Sequence, residues 1–189
     1  MHTRRQARGY KFETDLVKAF NQGNWKARRL GGSSSGLPDV GIMNDTQSIL
    51  YAVEAKSTVY NFCTVPVKQI QRCLNYLNLY SLYQNKYVIL AFKFASKRSK
   101  RSTNSKVKIL REKPTYFFFI IKGFKDKKLE RVQAFNCNSK GKVTFIVDNP
   151  QEGEQFDDYA IIDHVTTITD LKHYGWDSQQ SNFDHLFTV

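Results

Sequence analysis

The stretch GGSSSGLPDVGIMNDTQSILYAVEAK, residues 31–56, contains two short apolar segments with turn-forming residues before and between them. The first segment directly follows Asp39, and the second directly precedes Glu54. Apolar segments bounded by Gly-rich and Asn-Asp sequences are typical of neighbouring β-strands. If these two strands pair as a hairpin, Asp39 lies beside Glu54.

Glu54 and Lys56 are two residues apart, so they project from one face of the second strand, with Ala55 on the other. The carboxylates of Asp39 and Glu54 would repel each other unless a cation lay between them, and hard oxygen ligands suit Mg²⁺ or Mn²⁺. A neighbouring lysine can position an attacking water or stabilise charge on a phosphate. The alternative interpretation is a strand-end Asp and a surface Glu/Lys pair, which are common on solvated sheets.

The charge balance favours a polyanionic partner. The chain has 189 residues, enough for one domain with a sizeable core, and its 29 Lys+Arg against 17 Asp+Glu give a net charge of +12. Such a charge indicates nucleic acid first and an anionic membrane second. Basic residues are concentrated in residues 1–110, whereas the segment from Asp148 onward is acidic. This acidic segment could fold back on a basic surface, bind a protein partner or be partly disordered.

The cysteines and the apolar segments indicate the compartment. Three cysteines without metal-binding spacing are typical of reduced thiols in an intracellular protein. No apolar run reaches the length of a membrane span, and no apolar signal core follows the basic N-terminus. We therefore expect a soluble, cytoplasmic protein.

Two basic segments and one Gly/Ser segment are candidate phosphate contacts. The N-terminal segment can be a disordered tail or an arm that contacts phosphate, and we favour the arm. The segment 96–108 is basic and lacks acidic residues, and we interpret it as a mobile loop that contacts phosphate. The Gly/Ser segment 31–36 can be a flexible linker or a loop whose amides and hydroxyls approach a phosphodiester, and we favour the loop. The candidate residues are Arg4, Arg5, Arg8, Ser33, Ser34, Ser35, Lys97, Arg98, Lys100 and Arg101.

The predicted elements alternate between helices and strands, as in an α/β sandwich. A first helix is expected from about Gly9 to Gln22, and Glu13 borders its apolar stripe, where a carboxylate is costly unless paired or metal-bound. The alternative for Glu13 is a first-turn acid favoured by the helix dipole. A second helix is expected from Pro66 to about residue 81, with an apolar face formed by Val67, Ile70, Leu74, Leu77 and Ser81. Strands are expected at 24–30, at the two segments of the opening stretch, and at 87–94, 114–123, 132–135 and 142–147.

Five stretches in this order resemble one known family. They are GYKFETDLVKAF, KARRLGGSSSGLPDVGIM, YAVEAKS, VPVKQIQRCLNYL and YVILAFKF. With Pro38-Asp39 and Glu54-Ala55-Lys56 on consecutive strands, the chain resembles the PD-(D/E)xK nuclease superfamily, and more narrowly the archaeal-type Holliday-junction resolvases. The resemblance covers about residues 8–95.

The resemblance implies an α/β fold with a restriction-endonuclease-like core, a central mixed sheet flanked by helices. The nuclease core would occupy residues 1–110. Residues 111–189 lie beyond the resemblance, and we expect them to form a β-rich C-terminal extension packed on the same domain.

The resemblance also implies roles for individual residues. Asp39, Glu54 and the carbonyl of Ala55 would hold one or two Mg²⁺ ions, for which Mn²⁺ can substitute, with Glu13 as a direct or water-mediated ligand. Lys56 would orient the water that attacks phosphorus. The DNA strand would be held by Arg28 or Arg29, Ser33 to Ser35, and Lys68 with Gln69.

The implied function is a metal-dependent, structure-selective DNA endonuclease that resolves four-way junctions by paired phosphodiester hydrolysis. A homodimer would suit the near two-fold symmetry of a junction. The alternatives are a nuclease of the same fold with another DNA substrate, of restriction or repair type, and a non-cleaving nucleic-acid-binding protein. A protein partner bound through the acidic C-terminal segment also remains open.

Overall fold

The computed structural model describes residues 3–31, 35–95, 99–103, 106–110, 113–125, 128–149 and 159–174. For Arg4, Lys128 and residues 99–103 and 106–110 it describes only the backbone. Helices and strands follow one another along these segments. In chain order they are α1 Arg4–Phe20, β1 Trp25–Arg29, β2 Val40–Asn44, β3 Ile49–Thr58, β4 Phe62–Pro66, α2 Val67–Asn78, β5 Asn85–Phe94, β6 Ser99–Thr103, β7 Lys106–Leu110, β8 Thr115–Phe124, a 3₁₀ turn Lys128–Arg131, β9 Val132–Asn138, β10 Val143–Val147 and β11 Ala160–Val165.

A mixed sheet with the strand order β1-β2-β3-β5-β8-β11 forms the centre of the fold. β3 and β5 are parallel, and the other neighbours in this sheet are antiparallel. A smaller sheet has the order β10-β9-β4, and β6 pairs with β7. The predicted fold class is confirmed, since the central sheet is mixed and flanked by helices, which is consistent with a restriction-endonuclease-like core.

β3 is buried on both faces, which explains why its sequence is an almost continuous apolar run. Tyr51 and Val53 belong to the core beneath α1, whereas Leu50 and Ala52 belong to the core beneath α2. The crossover through α2 makes β3 and β5 parallel, as expected when a helix connects two strands of one sheet.

α1 begins earlier than predicted. The side chain of Thr3 accepts a hydrogen bond from the backbone of Gln6, and the side chain of Gln6 accepts one from the backbone of Thr3. This capping box satisfies the first amides of the helix, so residues 4–11 are helical turns rather than an N-terminal arm. The helix ends at Phe20.

α2 is shorter than predicted and buries a different stripe. It ends at Asn78, and its buried residues are Ile70, Cys73, Tyr76 and Leu77. The prediction missed Cys73 and Tyr76 and included Ser81, which is exposed and lies beyond the helix.

Three parts of the chain contain strands that were not predicted: β4, the pair β6 and β7, and β11, which lies in the acidic C-terminal segment. β4 lies directly before α2, and the segment 96–108, predicted as a mobile loop, contains β6 and β7, which pair as an antiparallel ribbon. β6 has the sequence SKRST, which carries no apolar pattern. β7 has the sequence KVKIL, whose short alternation of Lys with Val and Ile was outweighed in the prediction by the basic charge of the segment.

Residues 111–189 contribute strands to both larger sheets. β8 and β11 extend the central sheet, whereas β9 and β10 belong to the smaller one. Most of the acidic segment, residues 150–158 and 175–189, lies outside the described residues. In the part of the chain that is described, no helix has the length and apolar composition needed to cross a membrane.

Candidate active site

The β2–β3 hairpin brings the two predicted carboxylates together. Val40 pairs with Val53, so Asp39 and Glu54 lie at the next position of the same ladder. The Oδ2 atom of Asp39 accepts a hydrogen bond of 2.8 Å from the backbone N–H of Ala55. The carbonyl of Asp39 accepts another, of 3.0 Å, from the N–H of Leu30 at the end of β1. Asp39 is therefore held between β1 and β3.

Glu54 lies on the α2 side of β3, and only 1% of its surface is exposed. Its Oε1 is ion-paired with Lys56, and its Oε2 lies 3.5 Å from a guanidinium nitrogen of Arg72 on α2. Burial, joined by the negative charge of Asp39, raises the pKa of Glu54 from 4.5 to about 7, even though Lys56 and Arg72 act in the opposite direction. The site thus holds a carboxylate whose charged form requires cations.

Arg72 was not among the predicted site residues. It lies three residues after Gln69, which was predicted, and directly before the buried Cys73. A cation beside the apolar stripe of a helix is a weak signal that fits many surface helices. Only the packing of α2 on β3 shows that the side chain of Arg72 reaches Glu54.

The donor set at Asp39 and Glu54 suits a hard divalent cation. Two carboxylates and the nearby carbonyl of Ala55 are oxygen ligands of the kind that Mg²⁺ and Mn²⁺ prefer. The buried position of Glu54 is an independent indication of a cation site. Ionising this carboxylate costs free energy, and a bound cation would offset that cost. Among the described residues, no group of three or more acidic, His or Cys side chains is close enough together to hold a metal ion.

Glu13 belongs to a separate ion pair. Its Oε2 lies 2.7 Å from both the Nε atom and a terminal nitrogen of Arg29, and the guanidinium lies 3.9 Å above the ring of Tyr10. These residues line a pocket of ≈ 670 Å³ that also reaches Gly31. The predicted role of Glu13 as a metal ligand stays a prediction, and in the geometry observed here its carboxylate is bound to Arg29.

A second pocket, of ≈ 640 Å³, opens on the other side of the first turns of α1. Lys56 and Ala55 form part of its wall, so the Asp39–Glu54 pair lies directly behind that wall. Arg5 and Arg8 face it from α1, and Gln69 faces it from α2. Three cations beside two carboxylates give this pocket the character of a phosphate-binding site.

The remaining predicted DNA contacts that the structure describes lie outside the two pockets. Arg28 and Lys68 are exposed on β1 and α2. Ser35 is exposed, and its hydroxyl donates a hydrogen bond of 3.2 Å to the carbonyl of Leu30. Neither pocket is lined by Arg28, Ser35 or Lys68. Ser33, Ser34, Lys97 and Arg98 lie outside the described residues, and the side chains of Arg4, Lys100 and Arg101 are not described.

Comparison with known proteins finds distant likeness to solved structures. No protein-family model and no curated protein sequence matches the chain. The fold is similar to that of Hjc from Archaeoglobus fulgidus, a Holliday junction resolvase from an archaeal hyperthermophile, with a TM-score of 0.41 and 16% sequence identity. The likeness covers 69% of this chain and 87% of that one. At this distance it carries no inference about function, which depends on the geometry of the site.

Proposed function

We propose that the protein is a metal-dependent DNA endonuclease. The observation that carries the proposal is the position of Asp39 and Glu54. They lie directly behind Ala55 and Lys56, which form part of the wall of a pocket that Arg5 and Arg8 also line. A phosphodiester nuclease needs this combination, because carboxylates bind the metal while cations attract and hold the phosphate.

Each residue has a role that follows from its position. Asp39, Glu54 and the carbonyl of Ala55 would hold Mg²⁺, which when bound polarises the phosphate and lowers the pKa of a bound water. Lys56, whose side chain is 23% exposed, faces the pocket and can orient the attacking water and stabilise charge on the phosphate. Arg72, on α2, would offset the negative charge of Glu54 and help to fix the position of its carboxylate.

The basic side chains of the pocket would bind the DNA backbone. Arg5 and Arg8 project from adjacent turns of α1, and their charges would lie along a phosphate chain rather than at one point. Because α1 is a capped helix of 17 residues, these side chains are presented by a rigid element.

We propose four-way DNA junctions as the substrate class and a homodimer as the active form. A junction offers two opposed strands related by near two-fold symmetry, and a C₂ dimer would place one active site on each. Branched DNA of this kind requires recognition of backbone geometry, for which a basic pocket suffices without base-specific contacts in a groove.

Cleavage of a labelled four-way junction, compared with a linear duplex of the same arms in Mg²⁺, tests this proposal. Paired, symmetric nicks on the junction alone are expected. Equal cutting of the linear duplex would support the nuclease activity but contradict the proposal that junctions are the substrate. Tight binding without cutting in Mg²⁺ or Mn²⁺ would favour the non-cleaving DNA-binding protein.

A further inference from the structure

We propose that Tyr60 and Phe62 form a stacking platform for unpaired or unstacked DNA bases at the rim of the pocket. This inference rests on the proposed function, because it assumes DNA in the pocket lined by Lys56. It adds a selectivity element that the sequence analysis did not contain. Both aromatic residues line the same pocket as Arg5, Arg8 and Lys56.

The two rings are unusually exposed for large aromatic side chains. Tyr60 is 70% exposed and Phe62 is 67% exposed, whereas Phe92, Phe118 and Phe135 are fully buried in the cores. Exposed aromatic surface beside a charged pocket is typical of a binding surface. The positive charge of this pocket favours a polyanion that carries its own aromatic rings, and single-stranded nucleic acid has both properties.

Hydrogen bonds hold the backbone that carries the two rings. The N–H of Tyr60 donates a hydrogen bond of 3.1 Å to the hydroxyl of Thr58, and the N–H of Ser139 donates one of 2.8 Å to the carbonyl of Asn61. Phe62 is the first residue of β4 and pairs with Asn138 of β9. The backbone between β3 and β4 is thus held on both sides, so it does not have to be ordered when a base stacks on the two rings.

Two residues that line the same pocket each have a buried polar atom whose hydrogen bond is not met by any residue that the structure describes. Among the described residues, the buried side-chain polar atoms without a hydrogen-bond partner are Nε of Arg8 and Oε1 of Gln69. Both residues line the pocket with the aromatic rim. An occupant that satisfies both residues must offer an acceptor to Arg8 and a donor to Gln69. A nucleotide offers both, through its phosphate and a base edge, whereas a phosphodiester alone offers no donor.

The consequence is a preference for DNA whose bases can leave the stack. In a closed duplex the faces of the bases are covered by their neighbours, so the platform has nothing to bind. At a branch point, a loop or a single-stranded end, exposed bases can stack on Tyr60 and Phe62 while Arg5, Arg8 and Lys56 hold the backbone.

The test uses the full-length protein in EDTA, so that binding is measured without cleavage. The probes are a duplex with a central loop of unpaired bases that includes 2-aminopurine, and the same duplex without the loop. The double variant Tyr60→Ala/Phe62→Ala should lose about tenfold in affinity for the looped duplex and much less for the closed one. Wild-type protein should quench the 2-aminopurine fluorescence, and the double variant should not.

Leu82→Ala is the matched control, because Leu82 is 90% exposed and lies outside the pocket lining. Tyr60→Phe should retain the loop preference, since it keeps the ring. Equal losses on both probes, or no loss on either, would overturn the proposal. A change from dimer to monomer in sedimentation of the double variant, with the loop preference unchanged, would assign the rings to an interface between copies of the chain.

The two proposals can fail separately. If the wild-type protein never cuts DNA but quenches 2-aminopurine through Tyr60 and Phe62, the proposed nuclease function is contradicted and the proposed stacking platform is supported. A wild-type protein that cuts branched DNA, and whose loop preference survives loss of both rings, would contradict the platform alone.

Discussion

Glu54 occupies a position where its charge is difficult to sustain. It is buried on the α2 face of β3, the Asp39 carboxylate is nearby, and Lys56 and Arg72 offset only part of the cost. Buried carboxylates that need a cation are often found at functional sites rather than at structural ones. The energetics of this one residue therefore provide a test that is independent of any substrate.

Stability of the metal-free protein should depend on pH through Glu54. Burial raises the pKa of Glu54 to about 7, above its ordinary value of 4.5, so the folded state binds this proton more tightly than the unfolded state. The contribution of Glu54 to stability is therefore present below about pH 4.5 and is lost as the pH rises through about 7. Glu54→Gln removes this loss. The free energy of unfolding of the variant should therefore rise relative to that of the wild type, by up to about 3 kcal/mol, as the pH rises from 5 to 8.

Urea denaturation in EDTA at a series of pH values between 5 and 8 measures this difference. The variant and the wild type should have similar free energies of unfolding at pH 5, where Glu54 is protonated and resembles glutamine. Free energies that differ by a constant amount across the range would show that burial does not destabilise the charged form.

At the residue scale the sequence predicted Asp39, Glu54 and Lys56 as neighbours, because strand alternation and a hairpin turn are local properties. It did not predict that Arg72 contacts Glu54 or that Arg29 binds Glu13. Both contacts join elements distant in sequence, and their geometry depends on how each helix packs against the sheet. Local patterns contain no information on those packing angles.

At the scale of elements, α2 must approach the sheet closely for Arg72 to reach Glu54. Gly41 of β2 permits this approach, because a Cβ atom there would lie 2.7 Å from the hydroxyl of Tyr76 on α2 and 3.1 Å from Leu30. Tyr76 is only 5% exposed and packs on Tyr80, so it has little room to move. The glycine is thus a packing residue behind the active site.

Gly41→Ala should destabilise the fold by about 1–3 kcal/mol, the usual cost of overpacking a core. Gly123→Ala on β8 is the control, because it adds the same methyl group where, within the described parts of the chain, nothing beyond the adjacent residues lies within 4 Å of the added carbon. Thermal unfolding of the two variants measures the difference. If both variants melt at the same temperature, α2 does not depend on Gly41 for its position.

The elements themselves were predictable to different degrees. β3, β5 and β8 are long and apolar, so their position in the core was evident from the sequence. β4 was not, because Val65 is its only buried residue among exposed or half-buried ones. The early start of α1 had a readable signal in Thr3 and Gln6, but the charged residues that follow were interpreted as an arm.

On the scale of the whole molecule, the net charge of +12 provides long-range attraction for DNA. The pocket concentrates part of that charge near the carboxylates. Binding that depends on phosphate contacts weakens with salt, because each neutralised phosphate releases a counterion. The contribution of each basic side chain of the pocket can therefore be measured from its effect on the salt dependence of DNA binding.

Arg5→Gln should reduce the slope of log K against log salt concentration for DNA binding by about 1. Lys18→Gln, in the last turn of the same helix and outside the pocket lining, removes the same charge and serves as the control. Fluorescence anisotropy between 50 and about 200 mM salt gives both slopes. A slope that changes as much in the control as in Arg5→Gln would mean that the charge of the whole molecule, and not the pocket, binds the DNA.

The most direct test of the account compares two Asp→Asn substitutions on the same hairpin. Asp39→Asn alters the proposed metal-binding carboxylate, whereas Asp45→Asn alters an exposed carboxylate bound to Lys26 and Tyr83. Cleavage of labelled four-way junctions in Mg²⁺ should fall by about 100-fold or more in Asp39→Asn. Asp45→Asn should cut at the wild-type rate, and both variants should still bind DNA. Equal cleavage by the two variants would contradict the assignment of Asp39 and Glu54 as a catalytic centre.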